Sequence, residues 1–165
     1  MNIEIRRVRE GDAPILAHIQ TESWKAAFAH ILDPETLKRC TDPARAEAMY
    51  ERTLRDGKGI GYLLSLDGAP HCIAWWNAAR DAEFAGKAEL ICIHSLPGNW
   101  RKGYGSLLMD RALADIRAAG YKEVVLWVFV ENARARAFYE AQGFFPTAHT
   151  KLGLGAEEIC YARKL

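Results

Sequence analysis

Between Pro97 and Ser106 the chain reads Pro-Gly-Asn-Trp-Arg-Lys-Gly-Tyr-Gly-Ser, with glycines at 98, 103 and 105 beside two cations, Arg101 and Lys102. Glycines at this density let successive backbone N–H groups converge. Where such a run opens a helix, the unpaired N–H groups of the first turn add partial positive charge, and the two effects together hold an anion. Trp100, Arg101, Lys102, Gly103, Tyr104, Gly105 and Ser106 are the candidate contacts, Ser106 through its hydroxyl. Two phosphate motifs fail on inspection. The P-loop pattern GxxxxGK(S/T) finds Gly98 and Gly103, but Tyr104 and Gly105 stand where Lys and Ser/Thr are needed. The dinucleotide pattern GxGxxG finds Gly103 and Gly105, but Leu108 holds the third glycine position. Its acid about 20 residues on would be Glu123, at the start of the next strand rather than its end. Standing alone, the loop also reads as a plain turn between a strand and a helix.

Other side chains with chemistry have ordinary structural readings. Asn132 precedes a helical stretch and is suited to cap it. Tyr139 shares a helix face with Ala135, Phe138 and Gln142, which reads as core. His94 lies in a buried strand. The cysteines, Cys40, Cys72, Cys92 and Cys160, are far apart, with no CxxC pair and no Cys/His metal spacing, so no metal site is expected.

The elements that must position these residues follow from local patterns. Ile3 to Val8 reads as a strand. Gly11-Asp12-Ala13-Pro14 starts a helix with Asp12 as N-cap. Leu32-Asp33-Pro34-Glu35 and Thr41-Asp42-Pro43 start two more, the second reaching about Arg55. Strands Ile60–Leu66 and Cys72–Ala78 flank the turn Asp67-Gly68-Ala69-Pro70, a hairpin signal. Glu89–Ser95 is a further strand, Tyr104–Ala119 a helix ended by Gly120, and Glu123–Val130 a strand covered on both faces. A helix from Asn132 through Gln142 and two strands, about Phe144–Leu152 and Glu157–Lys164, complete the chain. This order predicts one α/β domain over residues 1–165, a mixed sheet with helices on its faces. Residues 89–130 form a parallel, right-handed strand–helix–strand unit.

Composition sets outer bounds. The 165 residues are 50% hydrophobic and 26% charged, with a net charge of +1. That balance excludes a disordered chain. Near-neutral charge argues against nucleic acid as a main partner. The longest apolar run, Val124–Val130, falls far short of the ~20 residues a membrane helix needs. Met1-Asn2-Ile3-Glu4-Ile5-Arg6-Arg7 lacks an apolar h-region, so no secretory signal is expected and a cytoplasmic protein with reduced thiols is.

Taken together, two stretches carry a family resemblance. Trp100-Arg101-Lys102-Gly103-Tyr104-Gly105 resembles the Q/R-x-x-G-x-G/A motif of the GNAT family of N-acetyltransferases. Downstream, Asn132, Ala135, Phe138, Tyr139, Gly143 and Phe144 are similar to its second signature, N-x-x-A-x-x-F-Y-x-x-x-G-F, in the expected order and spacing. Ser23 to Phe28 and the turn Leu32-Asp33-Pro34 are similar to a bacterial subgroup. Trp100 departs from the motif's Gln or Arg, although the backbone part of the motif does not need that side chain.

The resemblance implies a GNAT-like fold, a mixed and mostly antiparallel sheet with a central parallel unit and helices on both faces. It implies acetyl-CoA as co-substrate, with its pyrophosphate in the 100–106 loop and Asn132 hydrogen-bonded to it. Backbone groups of Ile93, His94 and Ser95 would pair with the pantetheine arm. Tyr139 would donate a proton or a hydrogen bond to the leaving sulfur. A phenol pKa near 10 against a thiol near 8.5 makes full transfer uphill by roughly 2 kcal/mol. Glu89, opening the central strand, is the expected proton acceptor, with His94 the alternative. The acceptor would be a primary amine of a small molecule or peptide, in a pocket walled by Trp24, Phe28, Trp75 and Trp76, with Glu22 attracting it. Attack would be direct, within a ternary complex, and a homodimer is expected. Another small acyl-CoA as donor, or a non-catalytic acyl-CoA-binding regulatory module, are the alternatives; Tyr139 beside an intact glycine loop favours an enzyme.

Overall fold

In the computed structural model, which describes residues 1–165, the chain runs β1 (Ile3–Arg7), α1 (Ala13–Ala27), α2 (Pro34–Cys40), α3 (Pro43–Arg55), β2 (Ile60–Leu66), β3 (Ala69–Ala78), β4 (Ala88–Ser95), α4 (Tyr104–Ala118), β5 (Glu123–Phe129), α5 (Ala133–Ala141), β6 (Phe145–Gly153) and β7 (Ala156–Lys164). The seven strands form one sheet in the order β1-β2-β3-β4-β5-β7-β6. Every neighbouring pair is antiparallel except β4–β5. This is the predicted architecture. Two short 3-10 turns, Ala82–Phe84 and Pro97–Asn99, were not anticipated.

Helices cover both faces. On one, Leu108, Met109, Ala112 and Ile116 of α4 and Tyr139 of α5 pack against Tyr62, Leu64, Ala74, Leu126 and Tyr161. On the other, Leu16 and Ile19 of α1 and Ala46 and Tyr50 of α3 pack against Leu63, Ile73 and Trp75. The alternation of side chains along each strand sorts residues between these two faces.

Two local expectations are corrected. Asp12 makes no side-chain cap on α1. Its carboxylate instead accepts from Arg6 at 2.8 and 2.9 Å and from the Arg9 N–H at 2.9 Å, tying β1 to the helix start. A bidentate guanidinium outcompetes a single cap bond. The hairpin turn is also tighter than expected. Asp67 and Gly68 take φ of 48° and 83°, so two residues suffice and β3 begins at Ala69. Pro70 is tolerated inside β3 because the register shifts at Leu64/Ser65, leaving an unpaired residue beside it.

The decisive feature lies in the centre. β4 and β5 pair only at Ala88↔Val124 and Glu89↔Val125. On β3, Trp75 faces Cys92 while Trp76 faces Leu90, so Ile91 is an extra, bulged residue on β4. A bulge bends its strand, and beyond this one β4 and β5 have no further paired residues.

Candidate active site

The parting of β4 and β5 opens a cleft of about 1010 Å³ that runs from the 100–106 loop to the α1/α3 face of the sheet. Ile91, Cys92, Ile93, His94 and Ser95 line one side, and Trp127, Val128 and Phe129 the other. The hydrogen-bonding edge of β4 past Glu89 therefore lacks a partner strand.

Which backbone groups face the cleft follows from register. The Leu96 N–H donates to the His71 carbonyl across the β3 side at 3.0 Å. Alternation in an antiparallel pair then turns the His94 groups toward β3 and those of Ile93 and Ser95 toward the cleft. The expected set of three is thus reduced to Ile93 and Ser95. The Ser95 carbonyl already accepts from the Trp100 indole N–H at 3.1 Å.

At the loop end, Gly103 caps α4 with φ of 85°, a left-handed conformation suited to glycine. Arg101 is left-handed too, at φ 61°. Arg101, Gly103, Tyr104, Gly105 and Ser106 line the cleft, whereas Lys102 is exposed and forms no part of its wall. Ser106 Oγ accepts from Gln142 Nε2 at 3.0 Å, which leaves its own proton free to donate. Asn132 Oδ1 accepts from the Ala135 N–H at 3.2 Å, so it caps α5 as read from sequence, and its amide nitrogen remains unused at the cleft wall.

Sequence reasoning missed Arg134, which occupies an unspecified position of the second signature. Its guanidinium carbon lies 3.4 Å from the centroid of the Trp100 ring, a cation–π contact. Burial lowers its pKa from the usual arginine value. Trp100 thus serves as a platform that places a cation beside the loop, where the motif otherwise has Gln or Arg.

Tyr139 lines the cleft and is only 9% exposed. Its ring contacts Phe138, Phe144 and Tyr161, and its hydroxyl opens onto the cleft with no hydrogen bond to the rest of the chain. Burial pushes its pKa well above the ordinary phenol value, and the neighbouring Arg134 only partly offsets this.

His94 Nε2 accepts from the Trp24 indole at 3.2 Å, which fixes a neutral ring. Removal from water lowers its pKa to about 4. It is therefore a weak base with its acceptor nitrogen already engaged. Cys92, also in the wall, has its thiol pushed up to about 12 by burial.

Glu89 is not where an open base would be. Its side chain is 2% exposed and lies outside the cleft wall. Both oxygens are taken by Arg80, through Nε at 3.1 Å, Nη2 at 2.6 Å and the backbone N–H at 3.1 Å. Arg80, not Glu89, reaches the cleft. Of the expected acceptor walls, Trp24, Phe28 and Trp75 line it. Trp76 belongs to the α4 face, where its indole donates to Tyr62 at 2.9 Å, and Glu22 pairs with Lys25 away from the cleft. The one carboxylate in the wall is Glu158 of β7.

The family model for acetyltransferases of the GNAT family matches residues 16–144. The chain belongs to the GNAT family. Acetyl-CoA-dependent N-acetylation is therefore its reaction class, and the chain is an acyltransferase. Among GNAT relatives, the spermidine N(1)-acetyltransferase of Thermoplasma acidophilum is 26% identical over 145 residues, covering 87% of this chain and 89% of that protein. The mycothiol acetyltransferase of Beutenbergia cavernae is 45% identical over 95 residues, which are 56% of this chain and 31% of that longer protein. The solved structure of the PaiA N-acetyltransferase of T. acidophilum in complex with coenzyme A shares the fold at a TM-score of 0.80 over the full length of both chains, with 22% identity.

The residues present suit the GNAT co-substrate, acetyl-CoA. A left-handed glycine cap with Arg101 and Arg134 beside it offers charge and N–H groups to phosphates, Ile93 offers unpaired backbone amide groups, and Tyr139 offers a hydroxyl without a partner.

Proposed function

We propose that this chain acetylates a primary amine of a small molecule or peptide by direct attack while donor and acceptor are bound together. The observation that carries this reading is the Tyr139 hydroxyl, free of any hydrogen bond to the chain, on the wall of a cleft that joins both faces of the sheet. Acetyl-CoA supplies an activated acyl group. The loop 103–106 and Arg134 hold its phosphates, and the Ile93 backbone orients its arm. Asn132 adds its free amide nitrogen.

Tyr139 acts as a hydrogen-bond donor to the sulfur. Its raised pKa keeps the proton on oxygen, so it stabilises developing thiolate charge rather than neutralising it fully. A covalent acetyl-enzyme is disfavoured, because a thiol with a pKa of about 12 supplies almost no thiolate at neutral pH.

The acceptor enters from the α1/α3 face, between Trp24, Phe28, Trp75, Trp127 and Phe129. Lys58 and Arg80 are the cations of the wall there and Glu158 its single carboxylate, so the pocket is not the acidic trap a polyamine would favour. Thiol release should be measured with acetyl-CoA against amines, polyamines, amino acids and peptide N-termini. Turnover with at least one monoamine or peptide is expected. Binding of acetyl-CoA without transfer to any member would instead mark a non-catalytic module, and faster turnover with a longer acyl-CoA would change the donor.

A homodimer is also proposed, through the edge strand β6, which exposes Phe145 at 71% and Leu152 at 78%. Light scattering at micromolar concentration should give twice the monomer mass; a single monomeric mass overturns it. No helix is long and apolar enough to cross a membrane. The four free cysteines suit the reducing cytoplasm as the place of action.

A further inference from the structure

Attack requires a neutral amine, and a lysine-like amine has a pKa near 10.4, so a group in the cleft must receive its proton at neutral pH. The wall offers few candidates. His94 has its free nitrogen engaged by Trp24, and Glu89 is enclosed by Arg80. Glu158 remains. It is half-buried, lines the cleft, and forms neither a hydrogen bond nor an ion pair in the chain.

Its placement is specific. On β7 it faces Phe129 of β5 on one side and Lys151 of β6 on the other. It shares a sheet face with Cys160, which packs with Phe84 and Val125, and this is the face opposite Tyr161 and α4. That is the side from which the acceptor enters, toward the aromatic pair Phe28–Phe129, whose centroids are 5.0 Å apart.

Gly153 makes this position accessible. A β-carbon there would overlap the Glu158 carboxylate, so the side chain lies across bare backbone. The charged neighbours are few. Lys151 of β6 is turned onto the Trp127 ring, 4.1 Å from its centroid, and Arg80 is committed to Glu89. Lys151 and Arg80 favour the carboxylate and Glu89 opposes it, yet desolvation dominates and raises the Glu158 pKa. That makes it a better proton acceptor than an exposed glutamate.

We propose that Glu158 binds the acceptor's ammonium group and is the proton acceptor of the reaction. This rests on the N-acetyltransferase reading above. Glu158 takes one proton from the ammonium, becoming a neutral acid and leaving a neutral amine. The amine lone pair forms the C–N bond as the C–S bond of the thioester breaks, its electron pair passing to sulfur. The second proton lost by nitrogen ends on that sulfur, and Glu158 returns the first to solvent.

The test is the pH–rate profile of Glu158→Gln in the full chain, with acetyl-CoA and the best amine of the panel. At pH 7 kcat/KM for the amine should fall about 10²-fold, and the loss should shrink as pH rises toward the amine pKa. Acetyl-CoA affinity by calorimetry should stay within a few-fold. Glu89→Gln should keep the wild-type shape of the profile. Gly153→Ala, which displaces the carboxylate without removing it, should reproduce the low-pH loss more weakly, and it carries the test if Glu158→Gln fails to fold. A Glu158→Gln profile parallel to wild type, whether at full or uniformly reduced rate, overturns the proposal. If the wild-type protein transfers acetyl to no amine at any pH, it is the underlying functional reading that has failed.

Discussion

Replacing Tyr139 with Phe should lower kcat about 10²-fold while leaving the fold and acetyl-CoA affinity nearly unchanged. The size follows from losing one donor aimed at charge that develops in the transition state. The selectivity follows from the surroundings of the side chain. Its ring contributes the contacts, with centroids 5.5 Å from Phe138, 6.1 Å from Phe144 and 6.4 Å from Tyr161, and phenylalanine keeps all three. The hydroxyl makes no hydrogen bond to the chain, so its removal strands no partner. Because burial raises the phenol pKa, the wild-type kcat should show no loss from tyrosine ionisation up to about pH 10, the ordinary phenol value. Stopped-flow thiol release, with KM measured alongside kcat, checks both parts. A wild-type kcat in Tyr139→Phe, with chemistry rate-limiting, removes the hydroxyl from the mechanism.

What the sequence disclosed about this site was local. Asn132, Phe138, Tyr139 and Gly143 lie within one helix and its ends, so periodicity and capping placed them before any tertiary contact was known. The glycine loop was similarly legible, since Gly103 opens α4 by its own conformation. The cleft was not. It depends on β4 and β5 parting after two paired residues and on the bulge at Ile91, and nothing in Leu90-Ile91-Cys92-Ile93 marks which residue will bulge.

The enclosure of Glu89 was hidden for the same reason. Glu89 opens the right strand, but Arg80 comes from the turn before it and closes over the carboxylate. Glu158 sits beside Glu157 in a strand whose in-and-out order is set by pairing with β5 and β6. Trp100 stands where the motif has Gln or Arg, and the cation that stacks upon it, Arg134, comes from the other signature. In each case the deciding partner is remote in sequence or its approach depends on register, which local patterns do not encode.

Gly103→Val should weaken acetyl-CoA binding by about 10²-fold, and for a backbone reason. A β-carbon at Gly103 would meet no atom of the protein within 4 Å, so crowding inside the chain is not the cause. The cost is conformational. At φ 85° a β-branched residue is strained by roughly 1–3 kcal/mol, and the loop relieves this by leaving the left-handed region. That rotation turns the N–H groups at the start of α4 away from convergence, and the anion site depends on their direction rather than on side chains. Gly105 differs. Its φ is ordinary, and a methyl group there would meet only the Phe138 ring at 3.3 Å, so Gly105→Ala should cost less. Gly103→Asn separates strain from bulk, because asparagine tolerates the left-handed region, and it should retain more of the affinity than valine does. Calorimetry with coenzyme A across the three variants reads the order Gly105→Ala and Gly103→Asn above Gly103→Val. Unchanged affinity in Gly103→Val would show that the phosphates are held elsewhere.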